Sequence, residues 1–165
     1  MNISETMEKY SKPMRFLHWS TAMLIMTLLA VGFYMAGIDP DASDKYDLYP
    51  LHKAFGMIAL LLVMIRLPVR AKGKVPAPAA GLQKWEHNLS HLVHIGLYVA
   101  MVSMTVSGYF MNSTYQYVSG VDMFGLFSVP DITAKSEYWN GICHEIHSFT
   151  AWAFLVLLGL HLAGV

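Results

Sequence analysis

HSFTAWAFLVLLGLH, residues 147–161, decides the fold: a histidine stands at each end, and no charged side chain lies between them. As a helix these fourteen steps make about 3.9 turns, so His147 and His161 share one face, about 21 Å apart along the axis. An ionisable side chain is costly to hold in hydrocarbon, so its presence there marks a site rather than packing. Imidazole is also the side chain that offers a neutral nitrogen lone pair to a metal.

Three more apolar runs precede this one. They cover about residues 16–36, 51–69 and 89–111, and the fourth runs from about 143 to 165. Each is near the roughly 20 residues a spanning helix needs. The composition agrees: 55% hydrophobic residues, 13% charged residues and a mean hydropathy of +0.43. The expected fold is therefore all-α, a single membrane-embedded four-helix bundle over residues 1–165. The formal net charge of zero is uninformative about nucleic acid, but no dense basic cluster with interleaved aromatics appears, which excludes it as a partner. The single cysteine, Cys143, excludes an internal disulfide, covalent c-type haem attachment and a zinc site built on paired cysteines. Lys9, Lys12 and Arg15 before the first run resemble a signal peptide, but the run continues for a full span without an A-x-A-like site. It is read as a retained first helix. The fourth run reaches Val165 without a basic stop, which predicts a natural chain that continues or a sequence that was trimmed.

The connectors differ in character. Residues 38–50, IDPDASDKYDLYP, carry two prolines and four aspartates and read as a solvated, turn-rich loop. Residues 70–85 are basic and rich in Pro, Ala and Gly. Residues 112–142 contain VDMFGLFSVP, residues 121–130, too short to span and expected to lie in the interface as a cap over the bundle. Lys9, Lys12 and Arg15 flank the first run, and Arg66, Arg70, Lys72, Lys74 and Lys84 lie around the second connector. The opposite loops hold only Lys45, Lys53 and Lys135. The positive-inside bias therefore predicts cytoplasmic termini.

With that topology His18 and His161 lie at the inner depth, His52 and His147 at the outer depth. Two histidines at each level are what two bis-histidine sites require. His144 competes for the outer role, but lies seventeen residues from His161 and about 100° off that face. Taken singly, each histidine reads as a hydrogen-bonded interfacial residue; four at paired depths favour ligation. Copper or zinc transport sites usually add acidic or sulfur ligands, and the two levels are too far apart for one small ion. Haem fits better, because a flat macrocycle needs two opposed imidazoles and a slot in a bundle core. Gly56, four residues after His52, either leaves room for a porphyrin edge or serves ordinary helix packing.

The chain resembles the bacterial cytochrome b561 family, integral di-haem cytochromes of four transmembrane helices. The resemblance rests on FLHW around His18, LHKAFGMIALLLVMIRL around His52, HLVHIGLYV around His91 and His94, GYFMNS followed by FGLFSVP, and the segment joining His147 to His161. It implies one haem b held near the cytoplasm by His18 and His161, and a second near the outer surface held by His52 and His147. It also implies a multi-pass protein of the bacterial inner membrane that exchanges electrons with a quinone pool such as ubiquinone. One branch of the family oxidises superoxide. The extra His144 and the missing tail depart from the pattern.

Several secondary residues follow. His91 and His94 are expected at the cytoplasmic start of the third helix, as candidate contacts for quinone or the haem edge, or as substitutes for His18; otherwise they are interfacial polar residues. Arg66 lies fourteen residues beyond His52, so it points into the bundle at the inner depth, a candidate propionate partner or a snorkelling arginine. Arg15 and Arg70 are weaker versions of the same reading. Lys53 could contact an outer propionate or steer an anion such as superoxide; the plain alternative is a surface lysine. Three functions follow from the sequence: a quinone-linked oxidoreductase, a haem-bearing anchor of a larger dehydrogenase complex with a redox partner protein, and a metal transporter.

Overall fold

The computed structural model describes residues 10–39, 42–73, 76, 81 and 83–164. Four helices dominate: α1 (Lys12–Gly37), α2 (Ser43–Lys72), α3 (Lys84–Thr114) and α4 (Glu137–Leu162). All four are long and apolar enough to cross a membrane. The shortest, at 26 residues, is about 39 Å long and outreaches a hydrocarbon core of about 30 Å.

Local chemistry starts the helices. The Ser11 hydroxyl accepts from the Met14 N–H at 3.4 Å, and Pro13 sits in the first turn of α1, where its missing N–H is harmless. The Glu86 carboxylate accepts from the Gln83 N–H at 2.7 Å at the head of α3, one arm of a capping box. Ser136 does the same work for α4, accepting from Trp139 N–H at 3.3 Å.

The loop expected at residues 38–50 is a correction: α2 already begins at Ser43 and carries Pro50 and Pro68 inside it. Aspartates near a helix N-terminus complement its dipole, and a proline forfeits only one backbone bond. From Ser43 onward that polar stretch is the aqueous end of a helix. Both ends of α3 and the start of α4 likewise lie several residues outside the apolar runs, because polar turns extend past the hydrocarbon. His91 and His94 consequently sit within α3 rather than opening it.

Successive helices run antiparallel and pack α1 on α2, α2 on α3 and α3 on α4. Every helix contributes to one core: Leu29, Val63, Ala100, Met101 and Phe154. The Ser103 and Thr150 hydroxyls meet at 3.1 Å between α3 and α4, a contact of about 0.6 kcal/mol within a membrane. α1 and α4 meet through rings, with Phe33 and Trp152 centroids 4.8 Å apart. Phe16, Met23, Met64 and Phe149 are exposed, as lipid-facing side chains of a spanning bundle should be.

Residues 121–130 form a hairpin: β1 (Val121–Asp122) pairs antiparallel with β2 (Ser128–Val129), Val121 opposite Val129. Its turn places both Phe124 (φ 59°) and Gly125 (φ 73°) in the left-handed region, with Leu126 N–H donating to Met123 O at 3.1 Å. This is the primed turn that suits strand twist. The Asp122 carboxylate steadies it by accepting from Gly125 N–H at 2.9 Å. Val121 and Met123 are buried against Ala54, Met57 and Ile58 of α2 and Tyr109 of α3. The segment thus caps the His52 end of the bundle, as expected, and does so as a two-stranded hairpin.

The cap is pinned by polar contacts. Asn112 Nδ2 donates to Gly120 O at 3.0 Å, and Tyr109 Oη donates to Pro130 O at 2.6 Å. Asp131 accepts from Gly120 N–H at 3.1 Å and from Lys135 Nζ at 2.6 Å. The Lys135 ammonium beside it holds the Asp131 carboxyl below the ordinary carboxylate range. A group with a lowered folded-state pKa stabilises the fold above its unfolded value and loses that contribution as pH falls through the folded one. The pair is near the surface, so its effect is small, about 0.2–1 kcal/mol. Wild type should melt above Asp131→Asn at neutral pH, with the gap closing on acidification; a gap independent of pH would contradict this role.

Candidate functional site

Histidines gather at two levels. At the capped end His52 of α2 faces His147 of α4, ring centroids 6.5 Å apart and planes 79° apart. Each ring rests against a glycine of a neighbouring helix. A Cβ added at Gly32 of α1 would meet His52 Cε1 at 3.3 Å; one added at Gly108 of α3 would meet His147 Cε1 at 3.0 Å. His147 Nδ1 lies 3.0 Å from Met104 O and 3.2 Å from Ser107 Oγ.

At the other end His18 of α1 faces His161 of α4, with centroids 6.2 Å apart and planes 65° apart. Arg66 Nη2 approaches His18 Nδ1 at 2.8 Å; arginine has no acceptor, so it donates. Its guanidinium also lies over the Tyr98 ring at 5.4 Å. His94 adds a third imidazole, 5.1 Å from His161, and its Nδ1–H donates to Ser90 O at 2.7 Å.

These residues fit a haem at each level. Metal–imidazole bonds of roughly 2 Å, with a ring centre about 1 Å beyond each nitrogen, place two axial imidazole centroids about 6 Å apart. Both facing pairs match that spacing, whereas His94 and His161 are closer and nearly perpendicular (86°). His52 Nδ1, His161 Nδ1 and Arg66 Nε are buried polar atoms with no hydrogen-bond partner among the described residues. For Arg66 the unmet donor suits a carboxylate such as a propionate. Gly56, one turn beyond His52, faces open space: an added Cβ would meet nothing within 4 Å.

The remaining candidates scatter. Lys53 is half-buried within electrostatic reach of Asp131 and Lys135, under the cap. His144 is exposed, with Nδ1 4.0 Å from Glu145 Oε1, and takes no part in the His52–His147 pair. Arg70 stacks over Tyr10 at 5.7 Å, away from the inner pair. Arg15, His87 and His91 are exposed. Sequence reasoning missed Gly32, Ser107 and Gly108. The adjacent Ser107 and Gly108 within a spanning helix were the available signal; Gly32 carried none.

The profile of the family described as prokaryotic cytochrome b561 matches residues 9–165. The chain is similar to cytochrome b561 homolog 2 of Escherichia coli (strain K12), 23% identical over 161 residues that cover 98% of this chain and 85% of that protein. It is also similar to cytochrome b561 homolog 1 of the same organism, 25% identical over 157 residues, 94% of this chain and 86% of that protein.

Proposed function

The chain belongs to the prokaryotic cytochrome b561 family, and from that premise we propose that it holds two haems b and passes electrons between a quinone and a donor at the opposite membrane face. Transmembrane electron transfer by a b-type cytochrome is the family's activity. The observation that carries the finer reading is the pair of facing imidazoles at each end, 6.2 Å and 6.5 Å between centroids. His18 and His161 would hold the inner haem, and His52 and His147 the outer haem, with both chain termini cytoplasmic.

When bound, each haem would supply a one-electron carrier, held by His18 and His161 at one level and by His52 and His147 at the other, which favours electron transfer over oxygen chemistry. The protein's part is orientation and electrostatics. The four imidazoles would hold the two haems, and Leu29, Val63, Met101 and Phe154 form an apolar core within the bundle. Arg66 places a fixed cation at the inner level, where it stabilises propionate charge and raises the reduction potential. Lys53 is the outer-end cation that would attract an anionic donor such as superoxide, since Lys135 is paired with Asp131. His94, beside His161, is the imidazole best placed to meet a quinone at the inner level.

Reconstitution with ubiquinol tests the reading: the oxidised haem-loaded protein in liposomes should show haem reduction. Superoxide generated outside should also reduce it and pass electrons to enclosed ubiquinone. Haem spectra unmoved by ubiquinol would overturn the quinone link, and no reduction by superoxide would remove that donor.

A further inference from the structure

Of the four facing imidazoles, only His147 has its outward nitrogen held by acceptors. The Ser107 hydroxyl donates its one proton to Met104 O at 3.2 Å. Its oxygen then offers only lone pairs to His147 Nδ1, 3.2 Å away. Met104 O, a carbonyl, can only accept, and it lies 3.0 Å from the same nitrogen. Both neighbours therefore require the proton on Nδ1, and a neutral imidazole so protonated carries its lone pair on Nε2. Ser107 is buried, 6% exposed, so water does not compete for the contact. The adjacent Gly108 leaves the ring no slack, since a Cβ there would stand 3.0 Å from Cε1 and 3.3 Å from Nδ1.

The other three differ. Among the described residues His52 and His161 bury an Nδ1 with no partner, and His18 Nδ1 faces the donor-only Arg66. That contact must open before His18 can carry its proton on Nδ1 and offer an Nε2 lone pair to iron. We infer that Ser107, together with the Met104 carbonyl, is a positioning residue that fixes the tautomer, ring plane and donor strength of His147, and so sets the outer centre apart from the inner one. This rests on the di-haem reading above. Acceptors on the far N–H make an imidazole a stronger donor. A stronger donor favours the higher-valent iron, so Ser107 lowers the outer reduction potential.

The test is a redox titration followed by visible and electron paramagnetic resonance spectroscopy on haem-loaded wild type, Ser107→Ala and Ser107→Thr. The outer step is identified as the one missing in His52→Ala. In Ser107→Ala the outer potential should shift upward and the outer low-spin signal should change or broaden, with the inner step unmoved. Ser107→Thr, which keeps the hydroxyl, should restore both. An outer step unmoved in Ser107→Ala, or both steps moved equally, would overturn the role of Ser107 while leaving the two haems in place. A wild-type protein with fewer than two haems would overturn the underlying reading as well.

Discussion

His147→Ala or His52→Ala removes one haem and leaves the other, so about half of the b-type absorbance disappears while the rest keeps its bis-histidine form. His18→Ala or His161→Ala removes the complementary half. The expectation follows from geometry: each residue faces one other imidazole across about 6 Å, and the two pairs share only the α4 backbone between His147 and His161. That length of helix is about 21 Å, so losing one level leaves the other intact. The measurement is a haem count and a reduced-minus-oxidised spectrum on each purified variant. The pairing would be wrong if His144→Ala emptied the outer level and His147→Ala did not. It would also be wrong if His94→Ala emptied the inner level while His18→Ala kept it.

Gly108→Val should empty the outer level as completely as His147→Ala, although residue 108 carries no ligating atom. Even a bare Cβ there stands 3.0 Å from His147 Cε1, and valine adds two methyl groups with a stiff χ1. The imidazole cannot retreat, because its Nδ1 is held by Met104 O and Ser107 Oγ on the same helix, so it must swing away from His52. Overpacking of this kind costs about 1–3 kcal/mol, tolerable for a spanning bundle, so the variant should still be recovered folded with the inner haem. Gly141→Val is the control, since a Cβ added at Gly141 of α4 meets nothing within 4 Å. Full haem content in Gly108→Val would show that His147 is not held as the structure places it.

How much of this was legible beforehand differs from element to element. The four spans were plain because hydrocarbon imposes a length and a hydropathy that few other structures need. The pairing of His18 with His161 and of His52 with His147 followed from the alternation of the spans, and the fourteen-residue phase carried Arg66 to the inner level, where it meets His18. The start of α2 was misread because Pro and Asp signal a turn in water, while at a membrane surface they also suit the first turns of a helix. The hairpin over His52 escaped because its burial is supplied by Ala54, Met57 and Ile58 of α2, contacts no local pattern encodes. Gly32, Ser107 and Gly108 escaped for a related reason. A glycine's meaning lies in what approaches it from another helix, and a buried serine's in which nitrogen it faces.

The most direct test is a pyridine haemochrome assay with iron quantitation on the purified full-length protein in mild detergent, read beside its reduced-minus-oxidised spectrum. The account predicts two non-covalent haems b per chain with low-spin, bis-histidine bands. A folded, colourless protein without iron would contradict it.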